Sequence, residues 1–80
     1  MRPVVTIYGK PGCCLCDEAI KGLEEVRQSM PFEIEHVDIS GDAELAGRYG
    51  LDIPVIFING RDAFKHRIDS ERLIELLHGQ

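Results

Sequence analysis

The sequence predicts an α/β fold of order β-α-β-α-β-β-α, with a four-stranded mixed sheet in the spatial order 2-1-3-4 and helices on its faces. Three observations carry this expectation. The β-branched and aromatic run Val4-Val5-Thr6-Ile7-Tyr8 stops at Gly9-Lys10-Pro11-Gly12 and gives way to Leu15, Ala19, Leu23, Val26 and Met30 at helical spacing. A strand-helix-strand unit then places two parallel strands side by side through a right-handed crossover. Near the other end Asn59-Gly60 joins two apolar runs, the strongest short hairpin signal a sequence offers.

Val4 to Tyr8 is continuously apolar or β-branched, which suits a central strand buried on both faces. In the first helix Ile20 widens the apolar stripe, Asp17, Glu18, Lys21, Glu24, Glu25, Arg27 and Gln28 cover the rest, and Pro31 ends it near Ser29. Phe32 to Asp38 sets Phe32 and Ile34 against Glu33 and Glu35, a period of two that loses its phase at His36-Val37 and reads as an outer strand. Ser40-Gly41-Asp42 opens a short helix from Ala43 to Tyr49, which Gly50 is expected to close in the left-handed conformation. Pro54 to Ile58 and Ala63 to His66 form the hairpin strands. Asp69 caps the last helix, Ile68 and Leu73 staple its entry, Leu73, Leu76 and Leu77 form its apolar face, and Gly79 follows its end.

Eighty residues, 44% hydrophobic and 29% charged, suffice for one domain, residues 1–80, and any active site on it must be a surface groove. Nine basic residues against fourteen acidic give a net charge of −5, and the basic ones are scattered, so no nucleic-acid partner is expected. With no apolar run of membrane-spanning length and no signal-like N-terminus, the chain reads as cytoplasmic, with no membrane partner.

All three cysteines, Cys13, Cys14 and Cys16, fall within four positions, which is no disulfide framework for a secreted domain. Cys13 and Cys16 are one helical turn apart and can approach disulfide distance, whereas Cys13-Cys14 would need a strained vicinal bridge and Cys14 and Cys16 point to different sides. The amides of an opening helix favour a thiolate, so Cys13 is expected to be the nucleophile, with Lys10 as a nearby cation and with Asp17 and Glu18 opposing. Cys16, on the side of the apolar stripe, is expected to be more buried and to resolve. Two of these thiolates could also form half of a metal site, but no second pair exists, and His36, His66 or His78 would have to converge from three separate elements. His36 and His66 read as exposed strand histidines and Tyr8 and Tyr49 as packing residues, none with a catalytic role.

The loop Lys10-Pro11-Gly12-Cys13-Cys14-Leu15-Cys16 after a strand, followed later by Asp52-Ile53-Pro54 before an Asn-Gly hairpin, resembles the thioredoxin superfamily, and within it the short glutaredoxin-like proteins. The resemblance covers essentially the whole chain. It implies a thioredoxin-like, glutaredoxin-type fold and a disulfide oxidoreductase that acts on proteins or on glutathione mixed disulfides. Cys13 and Cys16 would be catalytic, Pro54 would be a cis-proline, and the Ile53 backbone would pair with an extended substrate. Lys10 matches the lysine that binds the glycyl carboxylate of glutathione, and Asp69 keeps the acidic position at its γ-glutamyl end. The family's Gly-Gly pair is replaced here by Lys65-His66, and the dipeptide between the cysteines is Cys14-Leu15 rather than Gly-Pro or Pro-Tyr. No bound cofactor is implied; glutathione or another external thiol, or a reducing partner, would supply electrons to a monomer. Two other classes use the same features: a metal or iron–sulfur carrier bound through these thiolates, and a non-catalytic adaptor on the same fold.

Overall fold

The computed structural model describes residues 3–78. Its elements are β1 (Val4–Gly9), α1 (Cys14–Ser29), β2 (Glu33–Asp38), α2 (Ala43–Tyr49), β3 (Val55–Ile58), β4 (Arg61–Lys65) and α3 (Ser70–His78). The strands form one sheet in the order β2-β1-β3-β4, with β1 parallel to β2 and antiparallel to β3. Among the described residues no helix is long and apolar enough to cross a membrane. The expected residue 79 cap lies outside the described part of the chain.

One face of the sheet holds the main core. Ala19, Leu23 and Val26 of α1 and Leu73 and Leu77 of α3 close over Val5, Ile7, Ile56 and Ile58. Each of the Leu, Ile and Val side chains contributes about 1.5–3 kcal/mol on full burial, and for a chain this small that is the main stabilising force. Leu15, expected in the α1 stripe, is only half-buried, and Cys16 takes the buried place in the first turn.

The two faces of β1 are not equally covered, which corrects the expectation of full burial on both. Val5, Ile7 and Gly9 are buried, but Val4, Thr6 and Tyr8 are half-buried. The cause is α2, which spans seven residues and buries none of them. Its Tyr49 ring stacks on Tyr8 at 4.8 Å, and Phe57 of β3 meets Tyr8 edge-on at 5.5 Å. Three aromatic rings thus cover this face where a longer helix would otherwise be needed.

Asp42 caps α2 by accepting from the Glu44 and Leu45 amides at 3.0 and 3.1 Å. Gly50 does not close it in the left-handed conformation; its φ of −55° and ψ of −30° are right-handed. A glycine is needed there for a different reason, because a Cβ would run into the Ala46 carbonyl oxygen. Asp69 caps α3 through the Glu71 and Arg72 amides, as expected, and Ile68 packs with Leu73 on the same core.

Asn59 and Gly60 have φ of 51° and 82°, the two positive values a two-residue type I′ turn requires. Because the turn consumes only these two residues, β4 begins at Arg61 and ends at Lys65, not at Ala63 and His66. The pairing slips between Ile56, opposite Phe64, and Phe57, opposite Asp62, so Ala63 is the extra residue of a bulge. The bulge explains how the adjacent Ala63 and Phe64 are both half-buried. His66 falls beyond the strand with a φ of 69°, so it is exposed but not a strand residue.

On β2 the register sets Ile34 opposite Val5 and His36 opposite Ile7. Paired positions share a face, so Ile34 and His36 both belong to the α1 side, and Val37, opposite Tyr8, to the other. The backbone pleat therefore continues, while burial changes phase as expected: Ile34 is half-buried, Glu35 and His36 are exposed, and Val37 is half-buried. What changes along the pleat is residue type, with a histidine in place of an apolar side chain where the strand nears the cysteine loop.

Candidate active site

The site lies where β1 runs into α1. Gly9 ends β1, residues 10–13 turn the chain, and Cys13 is the N-cap of α1, with the extended φ of −90° and ψ of 114° that a cap adopts. Its sulfur does what a serine or aspartate oxygen does at other helix starts, accepting the Cys16 amide at 3.4 Å. Capping therefore aims the sulfur at the unpaired amides of the first turn, where a negative charge is stabilised.

Cys13 and Cys16 lie 3.0 Å apart, both as free thiols. Their electrostatic situations are opposite. The Cys13 thiol is lowered from its ordinary value of 9.0, first by the hydrogen bond from the Cys16 thiol and then by the Cys16 and Leu15 amides and the Lys10 charge, against a partial desolvation. Cys16 is raised to about 11, first by burial, then by its role as donor to Cys13 and by the charges of Cys13 and Asp17; a Lys10 backbone hydrogen bond works against these. Only 2% of Cys16 is exposed. At neutral pH the pair holds its proton on Cys16 and carries its thiolate fraction on Cys13.

The depth of Cys16 depends on Gly9. A Cβ at that position would stand 2.8 Å from the Cys16 sulfur, closer than real contacts allow, so only glycine lets the first turn of α1 settle onto β1. Sequence reasoning assigned Gly9 only the role of ending the strand, and the close approach shows only once the helix is in place.

Cys16, Ile39 and Ile53 form a small buried cluster at this end of the sheet, against which Tyr8, Cys13, Leu45 and Tyr49 pack. The Ile53-Pro54 peptide bond is cis and Pro54 is buried. Ile53 and the two thiols thus meet at this end of the sheet. Lys10 is exposed and acts on Cys13 through its charge. Asp69, by contrast, has its carboxylate engaged in capping α3. Cys14 is exposed on the first residue of α1. A groove of 110 Å³ runs along the start of α1, lined by Leu15, Glu18, Ala19, Arg67 and Ile68.

At the Gly-Gly position His66 adopts a left-handed backbone, the conformation glycine favours, while its amide donates to the Pro54 carbonyl at 2.9 Å and its imidazole lies 3.9 Å from the Asp52 carboxylate. The backbone course associated with glycine is kept here with a bulky side chain. Among the described residues no three His, Cys, Asp or Glu side chains are grouped to hold a metal ion.

Residues 4–78 match the family described as the Glutaredoxin-like domain (DUF836). The chain belongs to this glutaredoxin-like family. It is 32% identical over 75 residues to the glutaredoxin-like protein YDR286C homolog of Dictyostelium discoideum, covering 86% of this chain and 69% of that protein. It is 30% identical to a thioredoxin of Methanocaldococcus jannaschii, over 91% of this chain and 89% of that one. Among solved structures, protein Ne2328 of Nitrosomonas europaea superposes with a TM-score of 0.84 at 28% identity, covering 96% of this glutaredoxin-like chain and 93% of its own. Protein XcR50 of X. campestris gives 0.80 at 32% identity, covering 95% and 97%. The thioredoxin-like sheet order and the three flanking helices are common to this group.

Proposed function

We propose that this glutaredoxin-like domain is a thiol-disulfide oxidoreductase in which Cys13 attacks a disulfide of a protein or of glutathione and Cys16 resolves the mixed disulfide. The observation that carries this reading is the division of labour between two thiols 3.0 Å apart, one lowered at the helix cap and one buried and raised to about 11. Attack by the Cys13 thiolate forms a Cys13–substrate bond and expels the other substrate sulfur as a thiol. Cys16 then attacks Cys13, the substrate sulfur leaves, and the two electrons given up by the pair stay with the two substrate thiols. An external thiol, glutathione or a dithiol partner, reduces the resulting bridge. Lys10 and the Ile53-Pro54 segment would hold the substrate beside Cys13.

The test is equilibration in graded reduced and oxidised glutathione, acid quenching and mass mapping of the three cysteines. A reversible Cys13–Cys16 bridge, replaced by a glutathione adduct on Cys13 in Cys16→Ser, supports the reading. Full turnover by Cys13→Ser, or adducts spread evenly over Cys13, Cys14 and Cys16, would refute it.

A further inference from the structure

The resolving step needs a proton acceptor, because Cys16 is only 2% exposed, and burial, the first cause that raises its thiol, persists when Cys13 is bonded to substrate. In the mixed disulfide Cys13 is bonded to substrate and cannot take that proton. The structure places a candidate base at this corner. His36 is on the α1 face of β2, two register positions before Gly9 and its partner Asp38, on the same face of the sheet. The point that a Gly9 Cβ would occupy lies 2.8 Å from the Cys16 sulfur and 3.9 Å from His36 Nε2. The two atoms are therefore no farther apart than the sum of those distances, across the space that Gly9 leaves open. A rotation of the His36 side chain, or one bridging water, would bring the two into proton-transfer contact.

We infer that His36 is the proton acceptor for Cys16 in the resolving step, an assignment that rests on the oxidoreductase reading above. The Cys16 S–H proton passes to Nε2, the Cys16 sulfur bonds to the Cys13 sulfur, the Cys13–substrate bond breaks, and the substrate departs as a thiolate. The imidazolium then returns its proton to solvent or to that thiolate, since His36 is exposed. The other titratable and charged groups at this corner are Asp38 on β2, Cys13 at the cap, Asp17 on α1 and Lys10 in the loop. Asp38 helps directly: the Ser40 hydroxyl and amide donate to it at 2.6 and 2.8 Å and hold it ionised, and its charge and that of a protonated His36 attract each other. Gly9 thus has two effects, letting Cys16 pack deep and keeping the path to His36 open.

The experiment is stopped-flow reaction of the reduced protein with one equivalent of dithiobis(nitrobenzoate), which releases one coloured thiolate when Cys13 attacks and a second when Cys16 resolves. In His36→Gln the first release should be unchanged and the second at least about 100-fold slower at neutral pH. The pH profile of the second phase should differ between the wild type and the variant. Imidazole added to the buffer should recover part of the lost rate, which no structural defect would allow. A second phase unchanged in rate and pH profile overturns the role of His36 and leaves the oxidoreductase reading intact. A wild type that releases only one thiolate per equivalent overturns both.

Discussion

Gly9→Ala tests whether the contact between β1 and α1 sets the chemistry of the cysteine pair. Gly9 is in a strand and needs no positive φ, so the backbone accepts alanine and only the new methyl objects. That methyl would stand 2.8 Å from the Cys16 sulfur and 3.4 Å from its Cβ, about 1 Å short of a comfortable contact with sulfur. Overpacking of this kind costs about 1–3 kcal/mol. In a domain of this size each kcal/mol lowers Tm by about 4–8 °C. The chemical effect follows from the same displacement. Moving Cys16 off β1 disturbs the 3.0 Å approach to Cys13, and the hydrogen bond from the Cys16 thiol is the first cause of the lowered Cys13 value. The pH midpoint of Cys13 alkylation by iodoacetamide, followed by mass mapping, should therefore move up towards 9.0. A variant with wild-type Tm and an unmoved midpoint would refute the reasoning, and destabilisation with an unmoved midpoint would show that Cys16 is not what activates Cys13.

Wild-type alkylation should give a Cys13 midpoint below 9.0 and a Cys16 midpoint near 11; equal midpoints would contradict the asymmetry. The stability linkage has opposite signs for the two thiols. The contribution of Cys16 is full below pH 9.0 and is lost as pH rises towards about 11, so the stability difference between reduced wild type and Cys16→Ala should narrow across that interval in urea titrations. The contribution of Cys13 is present above 9.0 and is lost as pH falls through its lowered value. Asp69→Ala should cost about 1 kcal/mol by denaturant unfolding, the worth of a helix cap, and leave the rate with glutathione mixed disulfides within twofold; a larger kinetic loss would give Asp69 a substrate role. Leu23→Ala, truncating a fully buried α1 side chain, should cost about 2–5 kcal/mol by the same measurement.

The parts of the fold legible in the sequence are those set by local chemistry. Asn59-Gly60 dictates its turn because few other pairs accept two positive φ values, and Asp42 and Asp69 announce helix starts because their carboxylates reach the amides two and three residues on. Cys13 and Cys16 are legible for the same reason, since one helical turn fixes their proximity. What stayed hidden depends on neighbours distant in sequence. Nothing around Gly50 says that the Ala46 carbonyl, rather than a left-handed turn, demands a glycine, and nothing around Ala63 says that it will be the extra residue of a bulge. The limited cover on the Tyr8 face follows from the length and placement of α2, which apolarity along β1 cannot report.

The break in alternation at His36-Val37 is the case where a sequence irregularity carried meaning that only the register could decode. Read along β2 alone, a polar residue at an inward position looks like lost phase and demotes the strand. Set beside β1, the same residue lies opposite Ile7 on the helix face, next to the one position in that row with no side chain. His36 is exposed there, and the Cys16 sulfur leaves no room for a side chain at Gly9. A polar side chain at 36 beside a bare backbone at 9, next to the Cys16 thiol, is the arrangement expected if His36 takes the Cys16 proton as inferred above.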